Sequence, residues 1–130
     1  MTTIYGRRAT LALDRAFRGM RIAATALDAA RARIDVITKN IANARTTRVP
    51  GSDEPYRREE VAFAPILERA ANGRIEFMGV RIDGVLQDDA PFEEVFDPNH
   101  PDANDRGVVL YPNVNTMKEM ADLVTATLAY

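Results

Sequence analysis

The sequence has no cysteine and no tryptophan, one histidine (His100) and one serine (Ser52). Without cysteine there can be no disulfide, no thiolate zinc site and no cysteine nucleophile. A lone histidine with no helical partner makes a poor transition-metal site, and Ser52, in a polar loop, belongs to no Ser/His/Asp set. Gly-x-Gly-x-x-Gly and Walker A patterns are both absent, so the common phosphate-cradling loops are missing. No apolar run approaches the roughly 18 residues a spanning helix needs, so direct membrane insertion is not expected. Arg7, Arg8, Asp14, Arg15 and Arg18 interrupt any signal-like apolar segment, and a route out of the cytoplasm would have to work without a cleaved signal. There is no aromatic platform and the chain is acidic overall, which argues against nucleic acid as a partner.

What the sequence does hold is one domain's length, 130 residues, with an ordinary apolar fraction. Its net charge of −2 conceals an asymmetry. Residues 1–50 carry ten Lys/Arg and three Asp/Glu, a balance of +7; residues 51–130 carry seven and sixteen, a balance of −9. Two readings are open: each half simply solvates itself, or the basic arm meets acidic surface on its own body or on a second subunit, where such complementarity fixes register.

Both ends carry an apolar stripe. Leu13, Phe17, Met20, Ala24, Leu27, Ala30, Ile34, Ile37 and Ile41 recur in steps of three and four, with one slip near Leu27–Ala30. The mean step of 3.5 residues predicts a long helix over 10–43 with a left-handed supercoil seam. Val114, Met117, Ala121, Val124 and Leu128 repeat the pattern over a helix from Thr116 to Tyr130, begun by Asn113 or Asn115 and a Thr116–Glu119 capping box. Residues 1–10 have no pattern and read as a flexible arm. Residues 44–55, with Pro50-Gly51, are loop. Residues 56–112 form a small β-rich segment: a strand through Val61 and Phe63 stopped at Pro65, an Asn72-Gly73 turn, a half-buried strand over 76–85 with Val80 and Ile82 inward, and short strands at Val95-Phe96 and Val108–Tyr111. The fold class is α+β: a long N-terminal helix paired with a C-terminal helix as an antiparallel or crossing coiled coil. Residues 11–43 and 113–130 form one helical domain, with the irregular β segment packed on it.

The most reactive-looking stretch, residues 97–107, gathers Asp97, Asn99, His100, Asp102, Asn104 and Asp105. An EF-hand beginning at Asp102 fails, because Arg106 and Asn113 stand where ligands belong. The same residue types are what turns need. Doublets such as Glu59-Glu60 and Asp88-Asp89 point to opposite faces of extended chain and do not make an acid/base pair. No enzyme and no cofactor are expected.

Residues 26–47, with Asn40-Ile41-Ala42-Asn43 at their centre, resemble the N-terminal signature of bacterial flagellar rod and hook proteins. Further motifs are similar to those of the proximal rod proteins, the FlgC family: Pro55-Tyr56-Arg57-Arg58 with Val61 and Phe63, Val95-Phe96-Asp97-Pro98-Asn99-His100-Pro101-Asp102-Ala103-Asn104, Gly107-Val108-Val109, Tyr111-Pro112-Asn113-Val114-Asn115 and Glu119-Met120. The resemblance implies a structural subunit of the basal body whose terminal helices form the inner tube of a rod, with the middle segment outside. It also implies export unfolded through the flagellar type III apparatus and assembly in the periplasm on the membrane-embedded ring. The implied partners are other rod proteins and further copies of the chain, and the implied work is torque transmission to the hook. Leu13 with Phe17 fits the short apolar motif of the export gate's substrates. The resemblance also implies a longer last helix than the one here, so either the chain is a shortened form or neighbouring subunits cover the excess of the first seam. The competing readings are a helical adaptor or export chaperone, and a cell-wall hydrolase built on Asp97, His100 and Asp102.

Overall fold

The computed structural model describes residues 4–130. A helix, α1, runs Ile4–Ala42. Two antiparallel strands follow, β1 (Glu59–Arg69) and β2 (Ile75–Gln87), then a second pair, β3 (Glu93–Phe96) with β4 (Val108–Tyr111), and a final helix, α2 (Thr116–Ala129). The architecture is α+β, with both helices packed together and the β1–β2 hairpin laid along α1.

At 39 residues, α1 is about 58 Å long. It begins six residues before the expected start, so residues 4–10 are helical and not an arm; residues 1–3 lie outside the described residues. Extending a formed helix needs no new nucleus, and the arginines and Ala9 offset the poor propensity of Gly6. At the other end Asn43 closes the helix. Its side-chain amide donates to Lys39 O (2.9 Å), and its Oδ1 accepts from the Thr46 hydroxyl (3.1 Å).

The slip in the α1 stripe marks a physical boundary. C-terminal to it, Ile37 is 5% exposed, and Ala30, Ile34 and Ile41 are half-buried. N-terminal to it, Leu13 (58%), Phe17 (60%), Met20 (65%), Ala24 and Leu27 are exposed. One half of the seam is used inside the subunit and the other is not.

On α2 the expected seam does not face α1. Met117 (81% exposed), Ala121, Val124 and Leu128 (84%) point outward, while Glu119 and Ala126 are buried; Val114, just before the helix, is half-buried. Glu119 and Ala126 lie seven residues apart on one face, and the apolar stripe lies opposite. The capping box is also replaced. Asn115 is the N-cap, accepting from Lys118 N–H (3.2 Å), and Glu119 turns inward instead of back toward the helix start.

The hairpin departs from expectation in two ways. β1 passes through Pro65 to Arg69, which a two-stranded ribbon tolerates because one edge of each strand is free. The small-residue face, not the apolar one, packs inward. Ala62, Ala64 and Ile66 are half-buried, whereas Phe63 and Leu67 are exposed; Ile82, expected inward, is also exposed and Val80 only half-buried. The reason is close approach. A Cβ on Gly79 would sit 2.2 Å from Thr25 Oγ1, and that hydroxyl accepts a hydrogen bond from Val80 N–H (3.1 Å). Bulges after Ala62 and Ile66 bend the ribbon to fit. The turn, as expected, centres on Asn72-Gly73: Asn72 Oδ1 accepts from Arg74 N–H (2.9 Å) and Gly73 takes positive φ. The apolar core is small: Ile37, Tyr56, Met78, Val109 and Ala126.

Two alanine substitutions should therefore act in opposite directions. Gly79 has φ +126 and no space, so Gly79→Ala should cost at least about 2 kcal/mol. Gly19 is helical with nothing within 4 Å, so Gly19→Ala should add about 1 kcal/mol. Urea titration of the dilute subunit measures both.

Candidate functional site

Where the two helices and the hairpin meet, the structure builds a junction from polar groups. Asn40, on the last turns of α1, is fully buried. Its Oδ1 accepts from the Tyr56 hydroxyl (2.7 Å) and from Glu59 N–H (3.0 Å). Its Nδ2 donates to Glu59 O (2.9 Å) and to Glu119 Oε2 (3.4 Å). Both lone pairs and both hydrogens of the amide are thus engaged. Asn40 reads Glu59 as a neighbouring strand would, through both backbone groups, and so ties α1 to the first residue of β1 and to α2.

Arg58 completes the junction. Its guanidinium donates to Glu119, to Glu60 and to Asp88 (3.3 Å for the last). Burial alone would lower its pKa, but the hydrogen bonds to Glu119 and Glu60 outweigh that and hold it above its ordinary value. The Ala90 N–H on its carboxylate, and then Arg58, hold Asp88 below the usual value. Burial, with Glu59 and Glu119 nearby, pushes Tyr56 up to about 12, so the phenol stays neutral and donates to Asn40 across the neutral range.

Asn113, expected as a helix cap, is a staple instead. It accepts from Arg58 N–H (2.7 Å) and donates to Asp88 O and Ala90 O (both 3.0 Å). Arg57 donates to the same two carbonyls and lies 4.2 Å from the centre of the Phe92 ring. Pro55 is buried beside Tyr56, while Ala42 is exposed at the end of α1.

The loop over 97–107 uses its polar groups on itself and on the 44–55 loop. Asp97 N–H bonds Gly107 O (2.8 Å), and His100 Nδ1 accepts from Asp102 N–H (3.0 Å). Asp102 Oδ2 accepts from the Thr47 hydroxyl (2.6 Å). His100 meets Tyr111 edge to face, Pro98 packs near Gly107, and Pro101 is exposed. Asp97, His100 and Asp102 therefore act as turn residues, and among the described residues no group of three or more His, Asp or Glu is placed to hold a metal ion.

Sequence reasoning singled out Asn40, Tyr56 and Asn113 but missed Glu119 and Arg58 as a buried pair. The available signal was the position of Glu119, opposite the apolar stripe of α2. The second functional feature is the uncovered apolar surface: Leu13, Phe17, Met20 and Leu27 on α1, with Met117, Val124 and Leu128 on α2. Large apolar patches left bare on a monomer mark sites of association.

A profile of the flagella basal body rod proteins matches residues 20–48. The chain is 41% identical over 126 residues to the flagellar basal-body rod protein FlgC of Bacillus subtilis (strain 168), covering 88% of this chain and 84% of that protein. It is 39% identical over 129 residues to FlgC of Borreliella burgdorferi, with 88% and 83% covered. Against FlgC of Escherichia coli O6:H1 the identity is 34% over 110 residues, with 84% and 78% covered.

Removing one partner from the junction strands the other's charge. Glu119→Ala should destabilise the subunit by about 3 kcal/mol. A loss below about 1 kcal/mol in a urea titration would mean that Glu60 and Asp88 already suffice for Arg58.

Proposed function

The chain belongs to the FlgC family of flagellar basal-body rod proteins, and we propose that it polymerises through its terminal helices in the proximal rod and carries torque from motor to hook. It is a structural subunit of the rod, not an enzyme, and assembles with other basal-body components. In this reading α1 and α2 form the rod core, and residues 56–112 form an outer segment packed on it.

The observation that carries the proposal is the half-used seam. Leu13, Phe17, Met20, Ala24 and Leu27 lie bare on the same helix whose Ile34, Ile37 and Ile41 are covered, and the outward stripe of α2 is bare as well. Two uncovered stripes on two different helices favour head-to-tail contacts, which grow into a helical polymer when the rotation does not close. The junction at Asn40 fixes the angle between the stripes, so each subunit meets its neighbours in one geometry. The partners proposed are further copies of the chain, other rod proteins and the membrane-embedded basal ring, in the periplasmic part of the basal body. Export through the flagellar type III apparatus fits the exposed Leu13 and Phe17 pair, one turn apart on α1.

Leu27→Asp tests the seam. Leu27 is nearly half exposed in the subunit, so the substitution should change monomer stability by less than about 0.5 kcal/mol. It should nonetheless block rod assembly and swimming in soft agar. A motile strain with intact rods would remove the seam from the interface.

A further inference from the structure

The sequence holds seven asparagines, and the structure sets one of them apart. Asn40 is enclosed and fully bonded, and Asn43 and Asn113 each bond through both ends of the amide. Asn104 and Asn115 accept from N–H groups of their own turns. The residue after each of these five, and His100 after Asn99, carries a side chain that crowds the amide nitrogen next to the asparagine. Asn72 alone precedes a glycine. It is exposed at the tip of the β1–β2 hairpin, its Nδ2 has no partner among the described residues, and the space around Gly73 is open.

The turn also prepares this side chain. Asn72 Oδ1 accepts from Arg74 N–H (2.9 Å), which holds the side-chain carbonyl over the main chain and draws electrons from its carbon. The nucleophile within reach of that carbon is the Gly73 nitrogen. In the closed turn its N–H donates to Ala70 O (2.9 Å), so the tip must open before the nitrogen can attack. Little opposes opening. The ion pairs that tie the tip to α1, Arg18–Glu76 (3.0 Å) and Arg21–Glu68 (3.9 Å), are partly exposed, and such pairs contribute little.

We propose that Asn72 is a site of self-modification, at which the chain converts its own asparagine to aspartate and isoaspartate with water as the co-reactant. Gly73 N–H gives its proton to hydroxide and the nitrogen bonds to Asn72 Cγ. The Cγ–Nδ2 bond breaks, and Nδ2 takes a proton from water and leaves as ammonia. Water then opens the cyclic imide: at Cγ to give aspartate, at the main-chain carbonyl to give isoaspartate. Nothing is oxidised or reduced. Both products place a carboxylate near Arg69, whose guanidinium donates to Gly73 O (3.4 Å). Isoaspartate also adds a methylene to the main chain inside the turn, which disturbs the pairing of Ala70 N–H with Arg74 O (2.7 Å). The hairpin tip therefore gains negative charge and loosens as the subunit ages.

Trypsin gives a direct test, because cleavage after Arg69 and Arg74 releases Ala70-Ala71-Asn72-Gly73-Arg74 as its own peptide. The folded full-length protein is incubated at neutral and at mildly alkaline pH, digested, and its peptides are weighed and separated. The expected result is the amide-to-carboxylate mass shift in this peptide, with isoaspartate in excess over aspartate, ammonia released in equal amount and a rate that rises with pH. The other six asparagines should stay intact over the same period. Gly73→Ala should slow the conversion, although the positive φ of +84 strains an alanine there and favours opening. An intact Asn72 while other asparagines convert would overturn the proposal. So would aspartate without isoaspartate, or a Gly73→Ala protein that converts as fast as the unsubstituted one, since either removes Gly73 as the nucleophile.

Discussion

The fully enclosed side-chain amide of Asn40 is the interaction on which the rest of the subunit depends. A buried amide is costly unless every donor and acceptor is matched, and here all four positions are taken by three residues far apart in the fold's connectivity: Tyr56, Glu59 and Glu119. Tyr56 and Glu59 fix where the chain re-enters after the loop, and Glu119 fixes how α2 is rotated. Apolar contacts could have held these parts together without choosing a single arrangement. The apolar core is small, so the polar set specifies geometry that packing alone would leave loose.

The rotation of α2 has a direct consequence for assembly. With Glu119 and Ala126 inward, Met117, Val124 and Leu128 must face out. On α1, the slip between Leu27 and Ala30 separates a covered seam from a bare one. The subunit therefore keeps its helices together with a charged and hydrogen-bonded junction and leaves much of its apolar surface uncovered. That division suits a subunit that assembles with other components of the basal body. Apolar burial within one subunit is small, so the long helix gains little support from packing along its N-terminal half.

Much of this was legible from local signals. The helical spacing located both helices, Asn72-Gly73 located the hairpin turn, and Pro112 marked the end of β4. What stayed hidden depends on distant partners. Glu119 reads locally as half of a capping box, and only Arg58 and Asn40, far away in sequence, turn it inward. Ile82 reads as inward because it alternates with Arg81 and Asp83, while Phe63 reads only as part of a strand. They face out because Thr25 approaches Gly79 too closely for anything but small side chains. Pro65 reads as a strand end unless one knows that the ribbon has a free edge. Asn40 itself stood out through the family motif, but its four partners could not be read from the motif.

The most direct measurement is hydrogen exchange along α1, in the dilute subunit and in the assembled rod. The account predicts that amides of residues 4–17 exchange fast in the subunit while those of residues 30–42, anchored at the junction, are protected, and that both are protected in the rod. Uniform protection along α1 in the dilute subunit, or no gain over residues 4–17 on assembly, would contradict it.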